Sequence, residues 1–408
     1  MKSRTHRRRR KGRLLALLLT LAVLSGLLGT GVCAGSVEPP VTSILKEKKF
    51  TYGGYLVMEA ETGRILDGDG YDNRLSMAST TKIMTALLAL ESEDPDQPFT
   101  VDPLAIHVEG SSMGLLEGDV VTLRTLACGM LLKSGNDGAN AAAVRIAGSI
   151  PEFAKRMNQR AAEIGMTHTN FVTPSGLDAE EHYTTAYDMA LLAREALKNP
   201  DFLAICSQPS MTVEFGNPSV KRTFSNHNKL LTTYEGTIGV KTGYTKKSGR
   251  CLVSAVEREG ITLICVTLNC YDDWNAHMAA YDHAFTLVER VPASSLLEEL
   301  PELLNAQTTQ VAGGVAEQVA LAAAEEPMIT LLKGASGQLE AKVEKVPMAF
   351  APVEKGRVLG QVKLYLDGAL VETIPLTASQ SVEARPVTRE EENGESLWQR
   401  FLRWLGFS

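Results

Sequence analysis

Ser79-Thr80-Thr81-Lys82 sets a hydroxyl and an amine three residues apart, at the start of a segment in which Ile83, Leu87 and Leu90 recur with helical spacing. On a helix that spacing puts both groups on one face, within reach of each other. Serine is a weak nucleophile until a neighbouring base accepts its proton. A lysine serves as that base only when burial or a second cation lowers its pKa. The pattern by itself means little, because Ser43-Ile44-Leu45-Lys46 repeats it with nothing nearby to suggest chemistry.

Two further clusters change its weight. Ser134-Gly135-Asn136 follows the apolar helical run Leu123–Leu132, and Lys241-Thr242-Gly243 stands in a strand-like run that begins near Ile238. S-x-x-K, S-x-N and K-T-G in that order, on helix, loop and strand, form the signature of penicillin-recognising serine enzymes. The plainer readings are a helix N-cap for Ser134 and a solvated strand end for Lys241. Gly110-Ser111-Ser112-Met113-Gly114 also fits a G-x-S-x-G nucleophile elbow, which must run straight from strand into helix. Gly118 and Asp119 interrupt within four residues, so this stretch reads as a loop.

These groups need a scaffold. Tyr55, Val57 and Glu59 alternate with Leu56, Met58 and Ala60, Glu61-Thr62-Gly63 turns, and Arg64-Ile65-Leu66 returns, which predicts a hairpin. Helical patterns then run to about Leu203. Strand-like runs resume at 237–240, 251–256 and 261–268, followed by a helix around 277–288. A sheet assembled from both ends of a segment, with a helical middle, predicts an α/β architecture with a helical insertion. Residues 292–307 read as a connector. Beyond it Val362, Leu364 and Leu366 alternate, Asp367-Gly368 gives a strong hairpin turn, and 370–376 returns, so 308–385 reads as a small all-β domain. At the end of the chain Leu397, Trp398, Phe401, Leu402, Trp404 and Leu405 fall on one helical face, with Arg400 and Arg403 opposite. Such an amphipathic helix over 391–408 suits a membrane surface, with docking on the β-domain as the alternative.

Charge and cysteine usage set the compartment. Arg7 to Arg10 and Lys11, an apolar run over 14–28 and the small residues around Val32-Cys33-Ala34 read as an export signal over 1–34. The run is short for a membrane span of about 20 residues. Cys33 raises a lipoprotein alternative that the bulky Val32 fits poorly. The formal charge of −7 conceals an asymmetry: eight of the 41 basic residues and no acid fall within this signal. The remainder carries 33 basic against 48 acidic residues, a net of −15, which excludes nucleic acid as a partner. With 44% apolar and 22% charged residues, a disordered chain is also excluded. Cys128, Cys206, Cys251, Cys265 and Cys270 show no metal-type spacing and are too sparse for a disulfide scaffold. Cys128, Cys251 and Cys265 lie in apolar runs and read as buried free thiols, one bridging pair remaining open. No metal or other cofactor is expected.

From about Tyr52 to Val291 the chain resembles the serine-type D-alanyl-D-alanine carboxypeptidases, the low-molecular-mass penicillin-binding proteins. The resemblance runs through Ala78 to Thr85, Ser112-Met113, Ser134 to Ala139, Phe153 with Met157-Asn158, Gly165-Met166, His182 with Thr184 to Ala190, Asn226 to Leu231 and Gly239 to Thr245. It implies a β-lactamase/DD-peptidase-like antiparallel sheet flanked by helices, with a helical subdomain, over 45–291. The β-domain and terminal helix are similar to the family's C-terminal module and membrane anchor. It implies that Ser79 attacks the carbonyl between two D-alanines of a peptidoglycan stem peptide, that Lys82 takes its proton and that Ser134 relays one to the leaving D-alanine. Asn136 would hold the substrate amide and Lys82, Lys241 and Thr242 the terminal carboxylate, with Gly243 letting the strand accept substrate closely. The N–H groups of Ser79 and Tyr244 would form an oxyanion hole, and β-lactams would be covalent inhibitors. The work would be done on the outer face of the cytoplasmic membrane. Met77 stands where proline is common and Ile238 where an acidic residue is, which bears on loop shape. His227, between two asparagines, is placed to line the groove. A β-lactamase would need a second base, of which no acidic motif after Ser134 gives a sign, and a non-catalytic penicillin sensor would not need an activated nucleophile.

Overall fold

The computed structural model describes residues 43–334, 337–386 and 397–406. The expected export signal over 1–34, with Cys33, and residues 391–396 and 407–408 of the expected terminal helix lie outside them.

The chain enters through a one-turn helix α1 (Ile44–Glu47) and forms the hairpin β1 (Gly54–Glu59) and β2 (Ile65–Asp69). A 3-10 turn, Ala78–Thr81, leads into α2 (Lys82–Leu90). A short pair β3 (Phe99–Thr100) and β4 (Val120–Val121) precedes α3 (Leu123–Leu132), α4 (Asn136–Ala147), α5 (Ile150–Ile164), α6 (Ala186–Leu197) and α7 (Pro200–Cys206). The starts are set by local chemistry: Thr122, Ser149, Thr185 and Asn199 accept hydrogen bonds from the first helical turns, satisfying donors that would otherwise be orphaned.

The hairpin β5 (Ser210–Gly216) and β6 (Ser219–Ser225) follows, then α8 (Leu230–Thr233) and the strands β7 (Thr237–Thr245), β8 (Gly249–Arg258) and β9 (Ile261–Leu268), and α9 (Asp273–Leu287). The main sheet has the order β2-β1-β9-β8-β7 and every pairing in it is antiparallel. The α/β reading with a helical insertion therefore holds: β1 and β2 come before the helical lobe, β7 to β9 after it. Both faces of β1 are covered. Leu56 and Met58 pack with α2 to α7, whereas Tyr55 and Val57 share a second core with Leu45, Ala280 and Tyr281 on the α9 side.

The hairpin β5–β6 was not expected from the sequence. Its faces are largely exposed, only Phe215 and Phe224 being buried apolar residues, so it lacks the half-buried alternation that marks a core strand. It is held instead by Arg222, which stacks on Phe215 and donates to the carbonyl of Gly114.

β10 (Val288–Pro292) continues from α9 and pairs with β13 (Met328–Leu332). The stretch 292–307, composed like a connector, is ordered into a 3-10 turn and α10 (Leu300–Asn305), whose Leu300 and Leu304 are buried in the second domain's core. That domain adds β11 (Gln307–Ala312), β12 (Gln318–Ala322), β14 (Leu339–Lys345), β15 (Met348–Phe350), β16 (Val358–Leu366) and β17 (Ala369–Ala378) in a six-stranded sheet of order β14-β16-β17-β12-β11-β15. Asp367 and Gly368 turn β16 into β17 with φ of 51° and 83°, the left-handed backbone that a tight hairpin demands. Thr330 donates to Glu61 at 3.0 Å and Arg64 meets Asp367 at 3.3 Å, tying this domain to the β1–β2 turn.

α11 (Leu397–Trp404) carries Trp398, Phe401 and Trp404 in a stacked series with centroids 5.6 and 6.2 Å apart, all three exposed. Among the described residues no helix is long and apolar enough to cross a membrane. Cys128, Cys206, Cys251, Cys265 and Cys270 are all buried and unbridged.

Candidate active site

Ser79 sits inside the 3-10 turn, and its neighbour Ala78 has φ of 47°, a conformation that L-residues adopt at a cost. One turn on, Lys82 is fully buried, and its Nζ lies 3.0 Å from Ser79 Oγ, 2.7 Å from Asn136 Oδ1 and 2.6 Å from the carbonyl oxygen of Ser175. Burial pushes the Lys82 pKa well below its ordinary value, the charge of Lys241 pushes it further, and Asp137 opposes them. A neutral amine keeps two N–H donors for Asn136 and Ser175, which leaves its lone pair for the Ser79 hydroxyl.

Ser134 and Asn136 come from the junction of α3 and α4. Ser134 does not cap α4; Gly135 holds that position, and Ser134 itself takes φ of 62° with its side chain toward the cleft. Asn136 is gripped at both ends, its backbone N–H donating to Ser111 O and its Nδ2 to Glu109 O, each at 2.7 Å. Asp137 secures the same loop by accepting from Ser112 Oγ and from the N–H groups of Met113, Gly114 and Leu115. The stretch 110–114 is irregular, as its Gly118-Asp119 interruption implied, and Ser111 lines the cleft.

Lys241 is no solvated strand end. It is 1% exposed, donates to Thr242 O at 2.8 Å and has its pKa lowered to about 7 by burial. Gly243 is required by the packing of the turn: a Cβ there would lie 3.1 Å from Met77 O, Ser79 N and Thr80 N, so β7 presses directly on the turn that holds Ser79. Tyr244 projects outward and is 66% exposed. Ser43 belongs to another place altogether, accepting from Lys46 N as the N-cap of α1.

The cleft has a volume of about 520 Å³ and is open to solvent, with Ser79, Ser134, Thr242, Gly243 and Tyr244 in its wall. His227 lines it, as its position between Asn226 and Asn228 implied, with burial, then Lys241 and Lys133, lowering its pKa. Sequence reasoning missed Arg250, Asp273 and Trp274, which also line the cleft; Arg250 bonds Asp273 at 2.6 Å and covers the Trp274 ring. It missed Ser175 too, which contributes a backbone atom that no side-chain pattern announces.

A deprotonatable lysine on a serine hydroxyl, with a second buried lysine on the neighbouring strand of an antiparallel sheet, defines a serine acyl-transfer enzyme of the penicillin-recognising class. Residues 42–272, more than half of the chain, match the family model described as D-alanyl-D-alanine carboxypeptidase, and 303–384 match that of the penicillin-binding protein 5 C-terminal domain. The chain belongs to the D-alanyl-D-alanine carboxypeptidase family. It is similar to the D-alanyl-D-alanine carboxypeptidase DacF of Bacillus subtilis, 30% identical over 80% of this chain and 85% of the relative. DacC of Escherichia coli is 30% identical over 86% and 89%. The crystal structure of penicillin binding protein 5 from Haemophilus influenzae superposes with a TM-score of 0.58 at 27% identity, covering 82% of this chain and 98% of that one.

Proposed function

We propose that this carboxypeptidase removes the terminal D-alanine of peptidoglycan stem peptides through an acyl-enzyme on Ser79. Ser79 Oγ bonds to the carbonyl carbon between the two D-alanines while its proton passes to Lys82 Nζ. The C–N bond then breaks, and the leaving D-alanine takes a proton through Ser134. Water hydrolyses the ester, restoring the Ser79 hydroxyl and releasing the shortened peptide as a carboxylate. Asn136 holds the substrate amide as well as Lys82. Lys241 and Thr242 receive the terminal carboxylate, which a buried cation recognises well. The N–H groups of Ser79 and Tyr244 face the developing oxyanion. A β-lactam follows the first half of this course, its ring amide opening as Ser79 is acylated.

One observation carries the reading: Lys82 is wholly buried with its amine 3.0 Å from Ser79 Oγ and a second buried lysine lowering its basicity. The decisive experiment measures D-alanine released from a pentapeptide ending in D-Ala-D-Ala beside labelling by a fluorescent penicillin. Ser79→Ala should abolish both, and Ser43→Ala should change neither. Labelling that survives in Ser79→Ala would sink the assignment.

The same proposal places the enzyme outside the cytoplasmic membrane. The basic and apolar segments of residues 1–34 support export, and the exposed Trp398, Phe401 and Trp404 support a terminal helix lying in the membrane surface.

A further inference from the structure

His182 lies over a hundred residues from the nucleophile in sequence, outside the three motifs, and does not line the cleft. It is 4% exposed, buried edge-on against Phe171. Its Nδ1 accepts from the N–H of Val172 at 2.9 Å, and its Nε2 lies 2.9 Å from Thr81 Oγ1. The Thr81 hydroxyl has one proton and spends it on the carbonyl of Ala78 at 2.8 Å. Thr81 must therefore accept from His182, which requires the proton on Nε2, while the Val172 N–H requires Nδ1 to be bare. The two demands agree on one neutral tautomer. An imidazolium would set N–H against N–H at Val172. Burial, with Lys247 adding to it and Asp178 opposing, pushes the His182 pKa down to about 4, so the neutral ring persists across the ordinary working range.

The two partners of this ring belong to opposite sides of the chemistry. Thr81 and Ala78 are in the turn that presents Ser79. Val172 opens the loop whose Ser175 carbonyl holds Lys82 Nζ at 2.6 Å. That loop rides close on the turn: a Cβ on Gly176 would fall 1.9 Å from Ala78 O. Thr85 adds a second link, donating to Pro174 O at 2.6 Å.

We infer that His182 is a positioning residue for acylation, a neutral donor–acceptor bridge that fixes the spacing between the Ser79 turn and the Ser175 carbonyl, and through them the approach of Ser79 Oγ to Lys82 Nζ. The inference rests on the reading of Ser79 as nucleophile and Lys82 as base. An amide side chain has the same polarity, with an oxygen to accept from Val172 and an NH₂ to donate to Thr81; a leucine fills the space and does neither.

The test uses the full chain and stopped-flow acylation by a fluorescent penicillin, separating the acylation rate constant from the affinity of the preceding non-covalent complex. His182→Leu should slow acylation by about tenfold to a hundredfold, the scale of a misplaced reacting group, with that affinity unchanged within about twofold. His182→Gln should recover most of the rate. Thr81→Val cuts the same bridge from its other end and serves if His182→Leu does not fold; combined with His182→Leu it should add no further loss. Acylation of His182→Leu at the wild-type rate overturns the inference. So does a loss that Gln fails to rescue or that adds to that of Thr81→Val, because either marks simple packing. A wild-type chain that takes no label at all would refute the serine reading itself, a result distinct from all of these.

Discussion

Lys241 brings two separate demands to one side chain. As a cation it should hold the substrate's terminal carboxylate, and as a neighbour it lowers the pKa of Lys82. Its own pKa near 7 means that in the free enzyme it loses its proton around neutrality. A carboxylate ligand favours the charged form, so substrate affinity in the wild type should decline as pH rises above about 7. Lys241→Gln should raise KM for D-Ala-D-Ala peptides by about tenfold or more, since hydrogen bonds to charged groups contribute about 1.5–3 kcal/mol. The sign at Lys82 follows from Coulomb repulsion. Removing the like charge lets Lys82 hold its proton more tightly, and the acidic limb of the acylation rate moves to higher pH. Acylation rate and KM against pH, for wild type and Lys241→Gln, check both parts; a variant with KM and acidic limb unmoved would place the carboxylate site elsewhere.

At the scale of elements, the contact between β7 and the 3-10 turn is made by backbone on backbone. Gly243→Ala sets a methyl against Met77 O, Ser79 N and Thr80 N, none of which belongs to a side chain able to rotate away. We expect a loss of about 1–3 kcal/mol in stability, as for overpacked cores, and a fall in acylation larger than the unfolded fraction explains. Thermal melting beside the labelling rate tests this, and an alanine variant that acylates normally would show that the turn can yield. The same contrast between side chain and backbone decides what was legible in the sequence. The three motifs, the β1–β2 hairpin, the return to strands after about residue 237 and the Asp367-Gly368 turn all announced themselves through side-chain type and spacing. The hairpin β5–β6 did not, because it buries too little to impose alternation. The carbonyls of Ser175 and Glu109, and the bridge at His182, were invisible for a different reason: they depend on which loops meet in space, and any residue can supply a carbonyl.

At the scale of the molecule, the catalytic and all-β domains are joined by more than a chain crossing. The pairing of β10 with β13 begins where α9 ends, and the contacts from Thr330 to Glu61 and Arg64 to Asp367 brace it. The exposed aromatic helix α11 follows this domain in sequence, so binding to a surface and chemistry at the cleft should be separable. A chain lacking residues 397–408 should lose cosedimentation with anionic lipid vesicles while keeping its activity on a soluble pentapeptide. Equal sedimentation of both chains would instead favour a helix docked on the β-domain. The order of the main sheet has a consequence in time. Val57 pairs with Cys265, and the whole helical lobe lies between them in the chain. Contacts so distant in sequence close slowly, because the intervening loop must be ordered before the pairing rewards it. Ser79, Lys82 and Lys241 all lie between those two residues, with Lys241 the last of the three to be made, after the helical lobe. A nascent chain that stops short of β7 holds a serine and a lysine with no second cation and no strand pressed on the turn. With Ser79 as the nucleophile, covalent penicillin labelling there should count the chains that have finished folding and pass over those still being made.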